Sequence, residues 1–177
     1  TNERSKFLAF ARGDLRSIPT EIQEESPWRV STGPTRSNLP ATITSLIGRE
    51  KEVAAVHEYL LDPNIRLVTL IGPPGIGKTR LSLEAARVSL GDFPDGVFFI
   101  PLAPLADPAL IASTIVQTLG YVETNNRSVN NQLTDGFADK KTHLVLDNCE
   151  HLIEHVAPLA SELLSTCSRL KILATSR

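Results

Sequence analysis

Lys78 and Thr79 close the stretch Gly72-Pro73-Pro74-Gly75-Ile76-Gly77-Lys78-Thr79, in which glycine, four residues, glycine, lysine and a hydroxyl follow in order. Each residue type has a task toward a polyphosphate. Glycines let the backbone curl so that successive N–H groups point inward at phosphate oxygens. A helix starting at the end of the loop adds the positive end of its dipole. The Lys78 ammonium reaches the outer phosphates, and the Thr79 hydroxyl is a ligand for Mg²⁺. A plain strand-to-helix turn would account for the glycines but not for Lys78-Thr79.

Asp147 ends the apolar run Leu144-Val145-Leu146. Mg²⁺ prefers oxygen ligands, and an acid at the carboxyl end of a strand emerges where open α/β sheets bind ligands. Thr79 and Asp147 are therefore the expected Mg²⁺ residues. Asn148 follows, where many mechanical ATPases of the AAA+ class carry a glutamate base. An amide can orient a water but cannot take its proton. Glu150 is the nearest carboxylate, at an unusual spacing for a base. Its alternative role is as a first-turn acid facing a helix dipole. Arg177 closes the last apolar strand and is either a γ-phosphate sensor or a plain exposed terminal residue. His151 and His155 sit one helical turn apart, but with no third ligand apparent a solvated helix face explains them better. Cys149 and Cys167 read as small core or boundary residues.

The elements that must hold these groups alternate. A helix with Val53, Val56, Leu60 and Leu61 on its apolar stripe precedes strand 67–71 and the loop helix, 78–90. Strand 97–100 is apolar throughout, as in a parallel sheet covered on both faces. Asp107 and Pro108 predict the start of a helix whose buried face carries Leu110, Ile111, Thr114, Ile115 and Leu119, closed by Gly120. A polar loop, 123–131, leads to a weak helix over 132–138. Then come strand 143–146, helical residues 150–166 and strand 170–174. Pro158 predicts a second short helix there rather than one long one. Strands alternating with helices give an α/β fold with a parallel sheet. Upstream, residues 1–18 read as the helical remnant of another module and 19–45 as a Pro/Ser/Thr-rich linker in which Trp28 can dock.

Composition narrows the function classes. The formal net charge of −2 leaves no basic footprint for nucleic acid, and 5% aromatics leave little for a base-stacking platform. Two cysteines make no disulfide framework and suit a reducing, cytoplasmic setting. No segment reads as a membrane span or signal peptide. The first residue is Thr and the last residues follow directly on a strand, so both ends are expected to be cut from a longer polypeptide.

Taken together, residues 38–177 resemble the STAND class of signalling ATPases, close to the NB-ARC type and its bacterial helix-turn-helix transcription-regulator relatives. Five stretches carry the likeness: Asn38-Leu39-Pro40 with Leu46-Ile47-Gly48-Arg49-Glu50, the loop Gly72–Thr79, Phe93-Pro94-Asp95-Gly96-Val97-Phe98-Phe99, Leu144–His151, and Ala174-Thr175-Ser176-Arg177. The resemblance implies a P-loop NTPase three-layer sandwich, with strand order 1-4-3-2 and a fifth strand beyond this chain. It implies ATP or ADP with Mg²⁺ as cofactors. Ile47 and Arg49 would meet adenine or ribose. Gly72, Pro74, Gly75, Ile76, Gly77, Lys78, Thr79 and Arg80 would hold the phosphates, Thr79 and Asp147 the metal, and Arg177 the γ-phosphate. It further implies a nucleotide switch over residues 46–177, with slow or no hydrolysis alone, self-assembly in the full-length protein, and DNA contact only through an upstream module. The rival readings are an AAA+-like catalytic ATPase and an interaction fragment that does not switch. A GTPase would carry an N-K-x-D motif, which this sequence lacks.

Overall fold

The computed structural model describes residues 36–41, 46–121 and 128–177. The expected upstream helix, most of the linker with Trp28, and most of the polar loop lie outside the described residues. Among those described, no helix is long and apolar enough to cross a membrane.

Among the described residues four strands form one parallel sheet, as the α/β reading requires, in the order β1-β4-β3-β2 that the resemblance implies. They are β1 (Leu67–Ile71), β2 (Gly96–Pro101), β3 (Thr142–Asp147) and β4 (Lys171–Ser176). Among the described residues five α-helices flank them: α1 (Glu50–Leu61), α2 (Lys78–Val88), α3 (Leu110–Thr118), α4 (Val129–Phe137) and α5 (Ile153–Thr166). The side-chain period of two explains why both faces need cover. Phe98, Ile100, Leu144, Leu146, Ile172 and Ala174 point to one face, where they pack with Ile111 and Ile115 of α3, Leu133 and Phe137 of α4, and Val156 and Leu163 of α5. Val97, Val145 and Leu173 point to the other, against Val56 and Leu60 of α1 and Ala85 and Ala86 of α2. Burying an aliphatic or aromatic side chain in this way is worth about 1.5–3 kcal/mol. In β1 exposure alternates, and Ile71 is 73% exposed, because among the described residues this strand pairs only with β4.

Several local expectations are corrected. Pro158 lies inside a single helix, α5. A proline there removes one backbone bond of the second turn, and it is tolerated because Pro158 and Glu154, whose carbonyl loses its partner, are both exposed. Asp107 does not cap α3 directly. Its carboxylate accepts the Ala109 amide at 2.9 Å in a turn that includes Pro108, and the helix starts at Leu110. Leu110 is consequently exposed and Val116 takes its place in the core. Leu61 is likewise exposed at the end of α1. Helix α4 starts at Val129, earlier than its polar sequence suggests, because the Ser128 hydroxyl accepts the Asn131 amide. Gly120 closes α3 as expected. Its amide donates to Gln117 O and the Tyr121 amide to Val116 O, the paired bonds of a Schellman end.

The residues before α1 add to the sheet. Ser37 bridges Val97 in parallel, and the Arg36 carbonyl accepts the Val97 amide at 3.0 Å. The Asn38 side-chain amide then imitates a strand. Its Nδ2 donates to Phe99 O and its Oδ1 accepts the Phe99 amide, both at 2.7 Å. This segment covers the outer edge of β2, where bare peptide groups would otherwise invite pairing with another chain.

A candidate nucleotide site at the carboxyl ends of the strands

The loop between β1 and α2 is left-handed at Gly75 (φ 79°) and Gly77 (φ 91°), conformations that a Cβ penalises. Gly77 is also the residue that precedes the first turn of α2, so the free amides of that helix end open into the loop. Lys78 starts the helix and folds back. Its Nζ donates to the carbonyls of Gly72 at 2.7 Å and Pro73 at 3.0 Å. The ammonium is thus held over the loop by weak neutral acceptors that anionic phosphate oxygens can outcompete.

Two of the chemistry-bearing groups, Thr79 and Asp147, come together. Thr79 Oγ1 donates to Asp147 Oδ1 at 2.8 Å, although the two are 68 residues apart. Asp147 is 8% exposed. Its Oδ1 accepts a second hydroxyl, Thr175 Oγ1, at 2.7 Å. No described residue donates to Oδ2. The Asp147 carboxylate and the Thr79 hydroxyl make an all-oxygen donor set, which fits a hard cation such as Mg²⁺. A soft metal would call on the adjacent thiol. Burial pushes the Cys149 pKa up to about 11, and its Sγ donates to Leu146 O at 3.4 Å, so it stays protonated and inert.

Beyond Asp147 the chain turns sharply. Asn148 is the one described non-glycine residue with positive φ, at 65°. Its amide donates to Thr175 Oγ1 at 2.9 Å, and its side chain lies 3.4 Å from His151 Nδ1. A short 3₁₀ turn, Cys149–His151, follows. There Glu150 Oε1 accepts Arg177 Nε at 3.0 Å, so the two residues considered as base and sensor are paired with each other. His151 Nε2 lies 3.0 Å from Leu105 O. Ile47, 84% exposed, and Arg49 lie on the segment leading into α1. Among the described residues no side-chain hydrogen bond or ion pair joins either to the loop. Neighbouring Glu50 accepts the Gly48 amide at 3.0 Å, and bonds from its own and the Gly48 backbone hold its carboxyl below the usual range.

Sequence reasoning missed Thr175 and the clasp of Asn38 on β2. The signal for Thr175 was present: a hydroxyl at the end of an otherwise apolar strand.

Comparison with known proteins gives three findings. The AAA domain family matches residues 64–176, more than half of the chain. A Mycobacterium tuberculosis protein provisionally named an HTH-type transcriptional regulator is 42% identical over 112 residues, which is 63% of this chain but 12% of that protein. A second, uncharacterised M. tuberculosis protein is 37% identical over 134 residues, 76% of this chain and 34% of that protein. The chain therefore spans well under half the length of these relatives. Among solved structures, the Aeropyrum pernix ORC2 protein, determined as ADPNP and ADP complexes, superposes with a TM-score of 0.59 over 75% of this chain and 42% of that one. At 18% identity it shares the fold.

Proposed function

Because the chain belongs to the AAA domain family of P-loop nucleotide-binding domains, we propose that residues 46–177 are the ATP/ADP-binding switch module of a larger transcription-regulatory or signalling ATPase of the STAND, NB-ARC-like type. Residues 1–18 and 19–45 are then the end of an upstream module and its linker. The observation that carries the reading is the Thr79–Asp147 contact at the mouth of the glycine loop, with an oxygen-only donor set. The name of the mycobacterial relative supports the regulatory setting.

In this reading the amides of Gly75 to Thr79 bind the β and γ phosphates, and Lys78 exchanges its two carbonyl partners for phosphate oxygens. Thr79 and Asp147 hold Mg²⁺, which when bound neutralises charge between the phosphates. Gly72, Pro74, Ile76 and Arg80 shape the loop, and Ile47 with Arg49 takes the adenine side. Asn148 orients a water without deprotonating it, and the Arg177 guanidinium occupies the Glu150 carboxylate. Slow hydrolysis follows, so the bound nucleotide persists long enough to act as a state signal. A nucleotide shifts such an equilibrium only by its differential affinity for the two states.

Calorimetric titration of ATP and ADP with Mg²⁺ tests the assignment. The chain should bind both, and Lys78→Ala should weaken binding at least about tenfold, since it removes a charge-assisted contact. No heat at about millimolar nucleotide, or equal binding by Lys78→Ala, would refute it.

A further inference from the structure

We propose that Thr175 is a positioning residue for the magnesium carboxylate: it holds Asp147 in place and, through the Asn148 amide, fixes the turn that follows. The proposal rests on the reading of Asp147 as the Mg²⁺ residue. Thr175 is 2% exposed and sits near the carboxyl end of β4, opposite Leu70 of β1. Its hydroxyl uses both of its capacities on the neighbouring strand's end. It donates to Asp147 Oδ1 at 2.7 Å and accepts the Asn148 amide at 2.9 Å. One hydroxyl thus links the carboxylate to the backbone amide of Asn148, which is held at φ 65° in a left-handed turn that asparagine adopts more readily than other side-chain-bearing residues.

Thr79 shares Asp147 Oδ1, but it is itself a proposed metal ligand, so its hydroxyl has two claims on it. Thr175 has no such second claim. Both hydroxyls gather on Oδ1, and Oδ2 takes no hydrogen bond from a described residue. The carboxylate is thereby oriented with one oxygen engaged and the other available. Partners that orient metal-binding groups in this way commonly contribute 10–100-fold to metal affinity.

The test uses two variants and one probe, ADPNP, a non-hydrolysable ATP analogue. Thr175→Val keeps the branched shape and removes the hydroxyl; Thr175→Ser keeps the hydroxyl. Affinity is measured calorimetrically with Mg²⁺ and with EDTA, alongside the Mg²⁺ concentration giving half-maximal enhancement. Thr175→Val should need about tenfold more Mg²⁺ while its metal-free affinity stays within about twofold of the parent chain, and Thr175→Ser should restore the Mg²⁺ requirement. An unchanged Mg²⁺ requirement in Thr175→Val would overturn the proposal. So would an equal loss with and without metal, or failure of serine to rescue. If the parent chain itself does not bind ADPNP under either condition, the nucleotide reading fails and takes this inference with it. That outcome is distinct from a parent that binds with Mg²⁺ and a valine variant that behaves identically.

Discussion

His143 should make the fold sensitive to mild acid. It is the second residue of β3 and has no exposed surface. Its Nδ1 lies 3.0 Å from Ser89 Oγ, and the Ser89 hydroxyl donates to Ala86 O at 2.9 Å. With its one proton on that carbonyl, Ser89 can only accept from the ring, so the neutral imidazole carries its hydrogen on Nδ1. Nε2 is then a bare acceptor, and it is buried without a partner among the described residues. Phe93 packs beside the ring, 5.2 Å between centroids. Protonation would put an N–H and a charge on Nε2 with nothing to receive either. Burial, helped by the charge of His57, accordingly lowers the pKa from 6.5 to about 3. The sign follows from linkage. The unfolded chain takes up this proton near pH 6.5 and the folded chain does not, so stability is full above that pH and falls steadily toward about pH 3. Between about pH 7.5 and about pH 5.5 the loss from this one ring is about 1–2 kcal/mol, a sizeable part of the 5–15 kcal/mol typical of a domain. Urea unfolding across that range measures it. His143→Leu leaves the Ser89–Ala86 bond intact and should remove this portion of the pH slope. Superimposable slopes for the parent and His143→Leu would refute the reasoning.

Two further outcomes are expected. Asn38→Ala removes both amide bonds to Phe99 and should cost about 1–2 kcal/mol, read as faster hydrogen exchange at the Phe99 amide; unchanged exchange there would count against the clasp. If Glu150 is held by Arg177 rather than serving as a base, Glu150→Gln should change any ATP turnover by less than about threefold. A fall of about a hundredfold or more, the usual effect of losing a general base, would favour the catalytic-ATPase reading instead.

The parallel sheet was legible because the strands are short, apolar and bounded by turn residues and alternate with helices; the strand order came from the family resemblance, since apolar pattern alone does not say which strands are neighbours. The glycine loop was legible for the same reason that it works: its residue types are dictated by backbone geometry. Pro158 misled because sequence shows that proline deletes a hydrogen bond but not that the carbonyl left over faces water. Asn38 was placed by its motif, yet its pairing with Phe99, 61 residues away, is a tertiary contact with no local signature. The partnership of Glu150 with Arg177 was similarly hidden, since each was read for what it could do to a nucleotide and not for what it could do to the other.

Strand parity explains why three polar groups from three segments converge. Val145 and Leu173 face α1 and α2, so Asp147 and Thr175, two residues further along their strands, face the same side. Helix α2 lies on that side through Ala85 and Ala86, and its first turn carries Thr79. A shift of either acid or hydroxyl by one position would send it toward Leu146 or Ala174 and the opposite core, where a carboxylate would be stranded. The apolar residues of β3 and β4 therefore do more than fill the interior: their alternation selects the face on which the last residue of β3 and Thr175 of β4 emerge. Read this way, Lys171-Ile172-Leu173-Ala174-Thr175 already implied a hydroxyl beside Asp147, provided that β3 and β4 are parallel neighbours paired His143 to Lys171.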